Sequence, residues 1–133
     1  QHWVRAILNE FYGTDGIHGY GYGQDEDQGQ LGAWYVMASL GLFDIKGLTA
    51  TDPTMGIARP LFDKVTIQLS DRYYTGKEFI IETRGNEPEN DYVETIQLDG
   101  QRWTDTHIPF SKIVQGGRLE MELGTQPNDD YAK

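Results

Sequence analysis

The sequence has no cysteine, which excludes disulfides and thiolate metal sites outright. It has no apolar run approaching the ~18 residues needed to span a bilayer, so an integral membrane helix is excluded as well. Basic residues are scarce: Lys and Arg number 11 against 21 Asp and Glu, for a formal net charge of -10. A field of that sign repels phosphate backbones and anionic lipid, leaving nucleic acid and membrane surfaces as poor partners. A neutral polar ligand such as a sugar, or a cation, fits better. Initiator Met and signal peptide are also missing. The opening "QHWVRAILNEFYG" places Trp3, Ile7, Leu8 and Phe11 on one helical stripe with no N-capping residue ahead of them. The chain is therefore expected to be cut from something longer.

What is present is a folding composition, with 38% hydrophobic residues, 12% aromatics and 16 glycines in 133 residues, enough for one domain or a piece of a larger one. The pattern predicts a helix over residues 1–12, stopped by Gly13, and then a Gly- and Tyr-rich loop, "GTDGIHGYGYGQ". A second helix is expected from about Gln28 to Leu40. There Leu31, Trp34, Tyr35, Ala38 and Leu42 recur at the spacing of a buried face, and Gly41 is placed to end it. Two such helices cannot cover their own apolar stripes and a sheet together, so further helices are expected as neighbours.

Beyond residue 45, "GLTATDPTMGIARP" reads as a connection of turn formers, and "LFDKVTIQL" and "KEFIIETR" read as strands. "YVETIQLDGQRW" is a hairpin about Asp99-Gly100, "IPFSKIVQGG" holds one helical turn capped by Ser111, and "RLEMELG" is a last strand. "TQPNDDYAK" reads as turn and tail. The expected fold class is α+β, with two helices in residues 1–44 and a small antiparallel β-module in residues 45–133.

The stretch that invites chemistry is "GQDEDQGQLGAWYV". Asp25, Glu26 and Asp27 stand in the approach and first turn of the second helix, where the helix dipole and free N–H groups favour anions by ~0.3–1 kcal/mol each. Capping is one explanation. Three successive acids exceed what capping requires, however, and a carboxylate held ionised at a helix entrance suits taking a proton from water. A calcium loop of the helix-loop-helix kind wants its Gly in sixth place, whereas "DEDQGQ" puts it in the fifth. "GYGYG" follows no strand, which removes a dinucleotide-binding reading. Tyr20, Tyr22, Trp34 and Tyr35 offer flat faces for a sugar ring or for core packing, and Trp34 is expected to pack. Gln30 is placed to hydrogen-bond a sugar or orient Asp27, or is simply a helix former, while His18 borders the Tyr-rich loop. His2 and His107 read as surface or packing residues, and the polarity of Asn90 and Asp91 as that of an ordinary loop.

In order along the chain, "GQDEDQGQLGAWYVMASLGLFDI", "RPLFDKVTIQL", "IQLDGQRW" and "GGRLEMELGTQPN" resemble the C-terminal part of glycoside hydrolase family 92, the calcium-dependent exo-α-mannosidases of α-1,2-mannosidase type. The resemblance implies that residues 1–44 are the last helices of an (α/α)6-barrel. It also implies that the parent enzyme removes terminal α-linked mannose with inversion, its acid and base ~6.5–9.5 Å apart. The family's paired aspartates match Asp25 and Asp27, with Asp27 as the base that activates water and Asp25 assisting. The general Glu acid and most ligands of the Ca2+ fall upstream, which makes the isolated chain inactive and the upstream part of its own polypeptide a partner. Mannose-containing glycans are the implied substrates, Tyr22, His18 and Gln30 the candidate contacts, and a secreted or periplasmic location follows from the family. Gln24 and Gly32 depart from the usual Gly and Ser, and "HGYGYG" is longer and more aromatic than usual, which bears on linkage preference. The rival reading is a free-standing carbohydrate-binding β-module whose acids only cap a helix.

Overall fold

The computed structural model describes residues 2–12 and 29–131, and for Gln30 the backbone alone. Helix α1 spans His2–Phe11 and helix α2 spans Gln30–Leu40. Eight strands follow: β1 (Leu42–Phe43), β2 (Thr54–Ile57), β3 (Lys64–Gln68), β4 (Glu78–Arg84), β5 (Tyr92–Leu98), β6 (Gln101–Arg102), β7 (His107–Pro109) and β8 (Gly117–Gly124). Helix α3, Phe110–Val114, lies between the last two. The α+β class is as the sequence leads one to expect.

The strands form a three-stranded sheet, β1-β2-β7, and a five-stranded sheet, β3-β4-β8-β5-β6. All pairs are antiparallel except β4 with β8, which run parallel in the register Phe79↔Gly117 to Arg84↔Glu122. A parallel pair needs a long crossover, and residues 85–116 supply it, carrying β5 to β7 and α3 on the way. Phe79, Ile81, Val93, Ile96, Ile108 and Leu119 are all fully buried in one core that also takes in Leu42, Met55 and Ile57. That core takes the inward apolar side chains of β4, β5 and β8, each of which contributes ~1.5–3 kcal/mol on burial.

Four expectations are corrected. "GLTATDPTMGIARP" is not merely a connection, because it contains β2, whose Met55 and Ile57 face the core. The second helix begins at Gln30, behind the left-handed N-cap Gly29, so no acid lies in its first turn. The N-cap of α3 is Pro109, not Ser111. The tail closes in a 3-10 turn, Asp129–Tyr131, whose Tyr131 is buried and bridges two strands: its hydroxyl accepts from Ile96 N at 3.1 Å and donates to Trp103 O at 2.8 Å. Two local readings hold. Gly41 ends α2 at φ 81, its N–H reaching Ala38 O and Met37 O. Asp99 and Gly100, at φ 51 and 76, make the β5–β6 turn with the two positive φ values a tight hairpin needs.

Candidate functional site

Asp25, Asp27, Tyr22 and His18 lie outside the described residues, as does the whole "GTDGIHGYGYGQ" loop. Gln30 is placed as the first residue of α2. What the structure shows is the frame on either side of this segment. Tyr12, just past α1, stacks on Trp34 at 5.3 Å and on Tyr35 at 5.1 Å between ring centroids. Residues 12 and 29, which flank the undescribed segment, are thus tied to one another through the first turns of α2. Offset aromatic contacts of this kind are worth ~0.5–1.5 kcal/mol each beyond their buried area. Trp34 and Tyr35 therefore serve packing between the helices, and the sequence pattern had left that alternative open beside sugar stacking.

Behind this frame lies a buried ionic hub that the sequence did not disclose. The Arg59 side chain is completely buried. Its Nε and Nη2 donate to Asn86 Oδ1 at 3.1 and 3.0 Å, Nη2 also donates to Glu87 O at 2.9 Å, and Nη1 donates to Asp91 Oδ1 at 3.2 Å. The other oxygen of Asp91 lies 3.2 Å from His2 Nδ1, and the His2 ring stacks on Tyr92 at 5.9 Å. Asp91 is therefore a hinge pin joining α1 to the loop ahead of β5, where the sequence reads as ordinary loop polarity. Arg5, one turn along α1, has Nε and Nη1 buried without a hydrogen-bond partner. Burial, opposed by Asp91, pulls its pKa below the ordinary value. Burial and then the neighbouring Arg5 charge do the same to Arg59. Two guanidinium groups thus crowd about Asp91, with Glu87 as a second carboxylate acting on Arg59, a costly arrangement that persists only while its hydrogen bonds are kept.

The resemblance implies calcium, so the described residues were tested as ligands. None of them form a group of three or more His, Asp or Glu side chains that could hold a metal ion. The loop carboxylate Asp44 spends its oxygens on the N–H groups of Lys46 and Leu48 at 3.0 and 2.7 Å. The described residues do not provide a calcium shell. No described helix is long and apolar enough to cross a membrane.

Comparison with known proteins bears on the whole arrangement. The chain is 29% identical over 115 residues to an "Uncharacterized secreted glycosidase" of Arthroderma benhamiae, covering 85% of this chain and 13% of that protein. Its structure is similar to that of an inverting family GH92 mannosidase from Bacteroides thetaiotaomicron, at 29% identity and a TM-score of 0.76, over 96% of this chain and 16% of the other. A second Bacteroides thetaiotaomicron structure, an α-mannosidase in complex with mannoimidazole, shares the fold at 23% identity and a TM-score of 0.80, over 98% of this chain and 16% of the other. The chain thus spans between 13% and 16% of the length of these relatives. The sequence profile of the "Glycosyl hydrolase family 92 catalytic domain" matches residues 1–125, and the chain belongs to that family.

Proposed function

We propose that this chain is the C-terminal part of an inverting, calcium-dependent exo-α-mannosidase, and that it supplies the catalytic base. Residues 1–44 are its last barrel helices with the acidic catalytic loop, and residues 45–133 its β-module. Asp27 takes a proton from the attacking water, while Asp25 holds that water or tunes its partner. Gln30, Tyr22 and His18 contact the terminal mannose. The general acid and most of the calcium shell come from the upstream polypeptide, which leaves the isolated chain inactive. Mannose-containing glycans outside the cell or in the periplasm are the substrates.

The observation that carries this reading is the family match over residues 1–125, which spans the acidic run. A solved relative named as an inverting mannosidase and a curated relative named as a secreted glycosidase point the same way. Two structural facts add support. Helix α2 opens behind Gly29 with no acid in its first turn, so dipole capping alone does not explain three consecutive carboxylates. And α1 presents Trp3, Ile7 and Phe11, 75%, 38% and 46% exposed at four-residue spacing, an apolar stripe of the kind that upstream helices of the same polypeptide cover.

The test is mannose release from α-1,2-mannobiose by the full-length enzyme and its Asp27→Asn variant. Loss of a general base predicts a fall in turnover of at least ~10²–10⁴-fold with substrate still bound. Turnover close to that of the parent enzyme would show instead that the acids are structural.

A further inference from the structure

The outer face of the three-stranded sheet carries a feature that the catalytic reading does not use. Register places Phe43, Gly56 and His107 side by side across β1, β2 and β7, on the face opposite the core pair Met55 and Ile108. An aromatic ring, a residue with no side chain and an imidazole in one cross-strand row make a trough. A Cβ at Gly56 would stand 3.4 Å from Phe43 O and 3.8 Å from His107 Nε2, so the imidazole leans over the floor with Nε2 toward it. The resulting open-sided groove has a volume of about 410 Å³ and is bounded at its rim by Ile45, Lys46 and Asp52. That size lies within the ~300–1,000 Å³ of small-ligand sites.

We propose that this trough binds a single neutral pyranose ring, at a site built from residues other than those of the acidic catalytic loop. The chemistry of the rim selects the ligand. Phe43, 37% exposed, offers a flat wall for the apolar face of a sugar. His107 Nδ1 is engaged 3.0 Å from Thr106 Oγ1, leaving Nε2 for a ligand hydroxyl, while Lys46 and Asp52 supply one donor group and one acceptor group. Hydroxyls satisfy both signs at once. An anion is disfavoured by the net charge of -10. A divalent cation lacks ligands, because Asp44 is committed to its own turn and Asp52 alone is far short of the ~6–8 oxygens calcium takes. A purely apolar protein side chain would make no use of the imidazole and the two rim charges, which stay in water.

The experiment is diethyl pyrocarbonate modification of His107 in the full-length polypeptide, followed by peptide mass spectrometry with and without saturating α-1,2-mannobiose. In the parent protein His107 reacts freely and sugar slows it at least threefold. Gly56→Leu, which fills the floor, and Phe43→Ala, which removes the wall, both abolish the sugar-dependent change, while mannose release stays at the parental rate. Three results overturn the proposal: sugar gives no protection, protection survives in both variants, or His107 is unreactive without sugar because another part of the polypeptide occupies the trough. Mannose release by Asp27→Asn is read separately, so failure of the catalytic reading and failure of this one are distinguishable.

Discussion

Asp91 is the sharpest point at which to test how the helices are held on the β-module. Asp91→Ala removes the carboxylate that is hydrogen-bonded to a fully buried guanidinium and unties His2 in the same step. Breaking a buried pair from one side typically costs ~3–5 kcal/mol, because the remaining charge is left uncompensated. Two features place this case at the lower end. The Asp91 side chain is 31% exposed, so water screens part of the interaction, and Arg59 keeps its bonds to Asn86 and Glu87. About 3 kcal/mol is the expected cost, equivalent to roughly two orders of magnitude in a local opening constant. Amide hydrogen exchange, read by mass spectrometry on peptides covering residues 86–93 and 2–11 of the full-length protein, measures it directly. Asp91→Asn keeps an acceptor for Nη1 and is expected to show about half the effect. If Asp91→Ala accelerates exchange less than about fivefold (~1 kcal/mol), the hub does not hold this joint and the pairing is incidental.

Two further outcomes follow from local geometry. Tyr131→Phe deletes a buried hydroxyl that serves Ile96 N and Trp103 O, and is expected to cost ~1–3 kcal/mol, seen as faster exchange at the Ile96 amide. The Asp44 carboxyl is held below its ordinary value of 3.8, first by the Lys46 N–H and then by the Leu48 N–H. Because its folded pKa is depressed, the turn has its full support above pH 3.8 and loses it as pH falls through the lower folded value. The Leu48 amide should therefore lose protection at the acid end only, and loss of protection on raising pH from neutrality would contradict the assignment.

The sequence is most legible where structure is local. β3, β8 and the β5–β6 turn follow from two-residue alternation and from Asp99-Gly100, since side-chain period and turn chemistry are properties of neighbours. β1, β2 and β7 are two to four residues long, and β2 carries Gly56 at its centre, so each is defined only by strands found far along the chain. The end of α2 at Gly41 was visible; its start was not, because the N-cap is a glycine in a run of polar residues. At the candidate site the acidic run stands out in the sequence, yet the Arg59–Asp91 hub does not. Arg59 meets Asn86, Glu87 and Asp91 from 27 to 32 positions away, and His2 meets Asp91 from 89 positions away. No window of neighbouring residues contains such a pairing, and a polar loop looks the same whether or not it grips a buried cation.

The place of β8 in the larger sheet bears on the order in which the protein can be made. Among the described residues, β8 is the strand that pairs with both β4 and β5, so it is the seam between the β3–β4 hairpin and the β5–β6 hairpin. During synthesis those hairpins emerge first and have no backbone pairing with one another. The sheet remains two unjoined ribbons, each too small to be stable in water, until residue 124 has left the ribosome. Until β8 arrives, β4 and β5 each present an open strand edge, a template for mispairing with another strand.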